Sequence, residues 1–157
     1  MINVKVRGYT GQGWGSGLIQ WFTRSKVSHV SLVFHLGHIV DEIEAIQGKG
    51  VVRHTPYTPS EKEFIEFDLP LTYEQVLEAH ELACSLVGAK YDWKCIRSFV
   101  QHRKKHSLDK WICSEIVAYV LLKAGYPISR KEPFLENPSS VTDSLRLLEP
   151  VKQVGGA

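Results

Sequence analysis

Apolar and polar residues alternate at the start of the chain, where Val4 and Val6 are set between Lys5 and Arg7. This predicts a short first strand running into the glycine-rich stretch Gly8 to Gly17, which reads as a loop. Leu18, Ile19 and Phe22 then fall at helical spacing and suggest a short helix over Ser16 to Thr23. Alternation returns from Ser28 to Phe34, with Val30, Leu32 and Phe34 on one side, and again from Ile39 to Ala45; Leu36-Gly37 between the two runs is a hairpin signal. Val51-Val52 and Phe64 to Phe67 add two shorter strands, so a mostly antiparallel sheet is expected. Thr72 is placed as the N-cap of a helix whose buried stripe is Val76, Leu77, Ala83, Cys84 and Val87, closed by Gly88. A further helix is expected from Asp92 to about Lys105. A strongly apolar one opens at Cys113 and stops at Gly125, with Pro127 preventing continuation. Ser139 or Ser140 leads into a final helix over Val141 to Leu148, followed by a possible edge strand at Val151 to Val154. The fold class is α+β.

The chain has 157 residues, of which 43% are hydrophobic, enough for one domain spanning 1–157 with a real core. A formal charge of +2 gives no reason to expect a nucleic-acid partner. No apolar run approaches the length of a membrane span, and Met1 to Arg7 lacks the apolar core of a signal peptide. A soluble, cytoplasmic protein without integral membrane association is therefore expected. The cysteines Cys84, Cys95 and Cys113 match no zinc spacing and fit free thiols in a reducing compartment.

The chemistry concentrates on three residues. On the Cys113 helix, Ile116, Val117, Val120, Leu121 and Ala124 share the cysteine's side, which makes the helix central and buried. Cys113 stands in its first turn, where unpaired N–H groups and the helix dipole favour thiolate over thiol. His29, at the start of an alternating strand, is the candidate base. With Leu36 and Gly37 as a two-residue turn, counting outward sets Phe34 against Ile39, Val30 against Ile43 and His29 against Glu44. Glu44 could then hold the imidazole in the tautomer a base needs. Glu42 would face Ser31, and a longer turn would bring it nearer to His29 instead. Cys84 reads as an inert core thiol. His35 and His38 flank the hairpin tip, His54 borders a loop and His80 lies on a helix, and none is preferred as base. His102 and His106 stand one helical turn apart without a third ligand, so neither metal nor cofactor is expected.

The order Ser28-His29-Val30, Glu44-Ala45, Gly50-Val51-Val52, Gly88-x-x-Tyr91-Asp92 and Cys113-Ser114-Glu115, closed by Asn137-Pro138-Ser139-Ser140-Val141-Thr142-Asp143-Ser144-Leu145, resembles the circularly permuted branch of the NlpC-type papain-like cysteine hydrolases, the YiiX-like group. The resemblance runs from about Gly17 to about Val154. It implies a permuted papain-like fold, in which the histidine strand precedes a central helix carrying the cysteine. It also implies that Cys113 is the nucleophile, His29 the base and Glu44 the polar third member. A peptide, amide or acyl substrate follows from it, because superfamily members include cell-wall peptidases, amidases and lipid acyltransferases; a peptidase or amidase is the first reading, with a lipid-directed acyltransferase or thioesterase, or a binding module that keeps the fold, as the alternatives. A cell-wall substrate would call for delivery by lysis or a virion.

Overall fold

A computed structural model describes residues 2–10, 26–55, 63–92 and 109–148, together with the backbone of 152–154. Its centre is a hairpin of β2 (Val27–Leu36) and β3 (Ile39–Ile46), flanked by β1 (Ile2–Thr10), β4 (Gly50–His54), β5 (Phe64–Asp68) and β8 (Lys152–Val154). These six strands form one antiparallel sheet in the order β4-β3-β2-β1-β5-β8. β1 continues to Thr10, so Gly8 and Tyr9 belong to the sheet and not to the expected loop. Gly8 is required there by packing: a Cβ at this position would stand 2.9 Å from Thr142 Cγ2.

The pairing sets Val4 against Phe34, Val6 against both Leu32 and Phe67, and Leu32 against Ile43. All of these are fully buried on one face. That face carries α1 (Tyr73–Ser85), α2 (Cys113–Lys123) and α3 (Pro138–Leu148). The other face carries Arg7, Tyr9, Ser31, Glu42 and Glu66, which are polar or amphipathic yet buried. They are stabilised in pairs: the Arg7 guanidinium donates to Glu66 Oε2 through Nε at 3.1 Å and an η nitrogen at 2.7 Å, and Lys5 Nζ donates to Glu66 Oε1 at 2.7 Å. A buried carboxylate bonded in this way avoids the desolvation cost of an isolated charge.

The hairpin turn differs from the counted one by a shift of two residues. Leu36 pairs with Ile39 and Leu32 with Ile43, so Gly37 and His38 form the turn. Gly37 takes φ 70, a conformation open to glycine, which places it and not Leu36 at the first turn position. A slip of two preserves each residue's face, so the expected facing of the strands survives the correction.

Thr72 caps α1 through a full capping box with Gln75. The buried stripe is Val76, Ala79 and Ala83, whereas Leu77 and Val87 are exposed and Cys84 is half-buried. The stripe follows the helix face turned to the sheet, and Val87 lies past the last turn. Beyond α1, β6 (Lys90–Tyr91) pairs in parallel with β7 (Lys110–Trp111). Gly88 N–H bonds Val51 O, Val51 N–H bonds Ala89 O, and Asp92 N–H bonds Trp111 O. This backbone relay fixes Trp111, itself fully buried, directly before α2. The expected helices at Ser16 to Thr23 and after Asp92, the basic run 102–106 and Cys95 lie outside the described residues. The final helix begins at Pro138, ahead of the expected serines, and the edge strand is present as β8.

Candidate active site

Cys113 is the first residue of α2 and is 2% exposed. The N-cap, Ile112, is extended at φ −107, ψ 164 and carries no side-chain cap, so the positive end of the helix is left to act on the residue that follows. The first turn is held from the side. Ser114 Oγ donates to the Glu136 carbonyl at 2.7 Å, and the buried Glu136 carboxylate accepts from the hydroxyls of Ser129 and Ser140. Asn137 in turn caps α3, its Oδ1 accepting from Ser140 N–H at 2.9 Å. The segment 136–140 is thereby a brace behind the cysteine.

His29 lies beyond the last β2–β3 pair, where the two strands part. Glu44 is still laddered on its other side, opposite Val52 of β4. Across the gap His29 Nε2 hydrogen-bonds Glu44 Oε2, and Cys113 lies close enough to the imidazole to act on its pKa. With Nε2 engaged by the carboxylate, Nδ1 is the ring nitrogen that Glu44 does not use. Burial alone would lower the His29 pKa, but the charge of and hydrogen bond to Cys113, followed by those of Glu44, push it up to about 10. Burial likewise works to raise the Glu44 pKa and is outweighed by His29 and then His54, which hold it below the ordinary carboxylate value. The three residues singled out in the sequence therefore meet, with Glu44 and not Glu42 on His29.

His54 completes the arrangement and was not preferred on sequence grounds. Its Nε2 lies 2.9 Å from Glu44 Oε1, so the carboxylate is held between two imidazoles. The β3–β4 register puts it there, since Glu42 pairs with His54 and Glu44 is the next residue on the same face of β3. Glu42 has its own partners: Tyr9 Oη donates to Oε1 at 2.5 Å and Ser31 Oγ at 2.6 Å. Tyr9 also lies against His29, with ring centroids 5.7 Å apart.

A second cysteine and histidine meet elsewhere with a different outcome. His80 Nε2 lies 2.8 Å from Asp41 Oδ2 and 3.5 Å from Cys84 Sγ. Both contacts use one nitrogen, so this ring cannot pass a proton between thiol and carboxylate in the way two opposed nitrogens allow. Asp41 is fully buried and also accepts from Arg53 at 2.5 Å and from Thr55. Burial raises the Cys84 thiol pKa, against the pull of Arg53. This cluster clamps α1 to the sheet.

No protein-family model matches the sequence, and no curated protein does. Among solved structures, the crystal structure of the metalloprotein yiiX from Escherichia coli O157:H7, DUF1105, aligns with a TM-score of 0.70 at 18% identity, over 99% of this chain and 97% of that one. The fold is shared. The sheet and helices described above are thus a YiiX-like α+β arrangement. Among the described residues, no group of three or more His, Cys, Asp or Glu side chains is placed to hold a metal ion. In both clusters the carboxylate is bonded directly to an imidazole nitrogen. Among the described residues, no helix is long and apolar enough to cross a membrane.

Proposed function

We propose that this chain is a cysteine hydrolase, a peptidase or amidase, built as one permuted papain-like domain of the NlpC type. The observation that carries the reading is the sequence of contacts Cys113, His29, Glu44 at the N-terminus of a buried helix. Nucleophilic thiol catalysis needs a thiolate, a base that can also act as acid, and a third group that orients the base. Each has one residue here.

In this mechanism the Cys113 thiolate attacks a substrate carbonyl carbon, and the electron pair of the C=O bond moves to oxygen. The Cys113 backbone N–H, at the open end of α2, is a donor for that oxyanion. As the tetrahedral species collapses, the imidazolium of His29 gives its proton to the departing amine and the C–N bond breaks, leaving a thioester on Cys113. Neutral His29 then takes a proton from water as its oxygen attacks the thioester, and collapse releases a carboxylic acid and the cysteine sulfur. Glu44 keeps Nε2–H engaged throughout and stabilises the ring when it is charged.

The test is the alkylation of each cysteine by iodoacetamide as a function of pH, read by peptide mass spectrometry, with His29→Ala and Glu44→Ala beside the native protein. The proposal requires Cys113 to react well below the reference thiol pKa of about 8.5 and to lose that advantage without His29. A Cys113 no more reactive than Cys84 in the folded protein overturns it.

A further inference from the structure

The site contains one more imidazole than thiol catalysis requires. Glu44 Oε2 is taken by His29 and Oε1 by His54, the latter at 2.9 Å, while the Glu44 side chain itself is only 13% exposed. A carboxylate on a rotatable terminal bond has a broad torsional preference, and one held oxygen does not fix its plane. Two donors on opposite oxygens do. His54 projects from the end of β4, the strand whose start is pinned by the Gly88, Val51 and Ala89 backbone bonds, so its donor is delivered from a fixed frame.

We infer that His54 is a positioning residue, whose Nε2–H fixes the plane of the Glu44 carboxylate so that Oε2 is presented to His29. This rests on the hydrolase reading of Cys113, His29 and Glu44. His54 does not touch the thiol; it acts through Glu44. The titratable groups around Glu44 among the described residues are His29 from β2, His54 from β4, Cys113 of α2 beyond His29, and Glu42 on its own strand, already engaged by Tyr9 of β1 and Ser31 of β2. The attachment of His54 also supports the ionised form of Glu44, since a hydrogen bond to a carboxylate disfavours its protonation.

The experiment compares the native chain with His54→Ala, His54→Asn and His54→Gln. The first readout is the ratio of Cys113 to Cys84 alkylation by iodoacetamide at pH 6, and the second is the titration of the Glu44 carboxyl carbon by 13C NMR. Gln places an amide N–H near the position of Nε2, whereas Asn is too short to reach it. The expected result is a loss of about 3- to 10-fold in the ratio for Ala and Asn, with the Glu44 titration moved up by about half to one pH unit, and recovery of both in Gln. Asn retains a polar side chain at this 44% exposed position and so reports even if Ala unfolds. A ratio unchanged in Asn, or a loss that Gln does not restore, overturns the role of His54. A native protein in which Cys113 has no lead over Cys84 overturns the hydrolase reading itself and is visible before any variant is made.

Discussion

His29 and Glu44 meet as diagonal neighbours, across the point where β2 and β3 stop pairing, and not as an opposed cross-strand pair. The contact is therefore a property of two side chains reaching over a gap in the ladder, and its strength depends on both being charged. The His29 pKa is raised, by Cys113 first and then by Glu44, so its contribution to stability is complete below 6.5 and is lost as pH rises through about 10. The Glu44 pKa is lowered, so its contribution is present above 4.5 and is lost as pH falls through the value in the folded protein. Together they stabilise most between 4.5 and 6.5. Thermal unfolding across a pH series is expected to show the native protein losing its advantage over Glu44→Gln on both sides of that window. A constant difference at all pH values would contradict the pairing.

Ser114→Ala removes a buried hydroxyl whose acceptor, the Glu136 carbonyl, is then left without that donor. A loss of about 1–2 kcal/mol in urea denaturation is expected. Because the bond braces the first turn of α2, Cys113 alkylation is expected to slow by several-fold while Cys84 is unaffected. Equal slowing of both would mean general loosening.

Gly50→Ala places a Cβ 2.2 Å from the Ala89 carbonyl oxygen and forces a side chain into φ +85. Backbone must move on one side or the other, so a destabilisation of about 2–4 kcal/mol is expected. Gly37→Ala is the control, since its φ is also positive but a Cβ there meets nothing within 4 Å. It is expected to cost about 1 kcal/mol. Similar losses at the two positions would show that steric contact with Ala89 contributes nothing.

Asp41→Ala leaves His80, Arg53 and Thr55 without their shared acceptor. Arg53 is partly exposed and can turn to water, so the expected cost is about 2–3 kcal/mol, below that of breaking a fully buried pair. Cys113 alkylation in the folded protein is expected to be unchanged, which separates the clamp on α1 from the site at α2.

Much of the architecture could be read from alternation and capping residues. β2, β3 and β5, the Thr72 cap and the end of α2 at Gly125 all follow local rules. The helix carrying Cys113 was legible because its apolar side is nearly continuous and its first turn contains the only thiol of that segment. The partnership of Glu44 with His29 survived an error of two in register because a shift of two keeps every side chain on its face. Two features were illegible for physical reasons. The β6–β7 pair is a two-residue parallel bridge with no periodicity to detect, and it is specified by backbone bonds to Val51 and Trp111. His54 lies on a strand too short to show alternation, so its facing is set by the β3–β4 register alone. Apolar character alone does not decide burial on α1: the helix turns Ala79 to the sheet and Leu77 to solvent, and Val87, past the helix end, is exposed as well.

The brace behind Cys113 and the hairpin in front of it are far apart in sequence. The strands carrying His29 and Glu44 precede the helix carrying Cys113 and the segment that holds it by a long stretch of chain. Contacts so distant in sequence form late in folding. Until they form, Cys113 has neither its imidazole neighbour nor a stable helix end, and its sulfur is an ordinary cysteine. On the proposed reading, any reactivity of Cys113 above that of an ordinary thiol is then a property of the completed fold, and a truncated or unfolded chain keeps only ordinary cysteine chemistry.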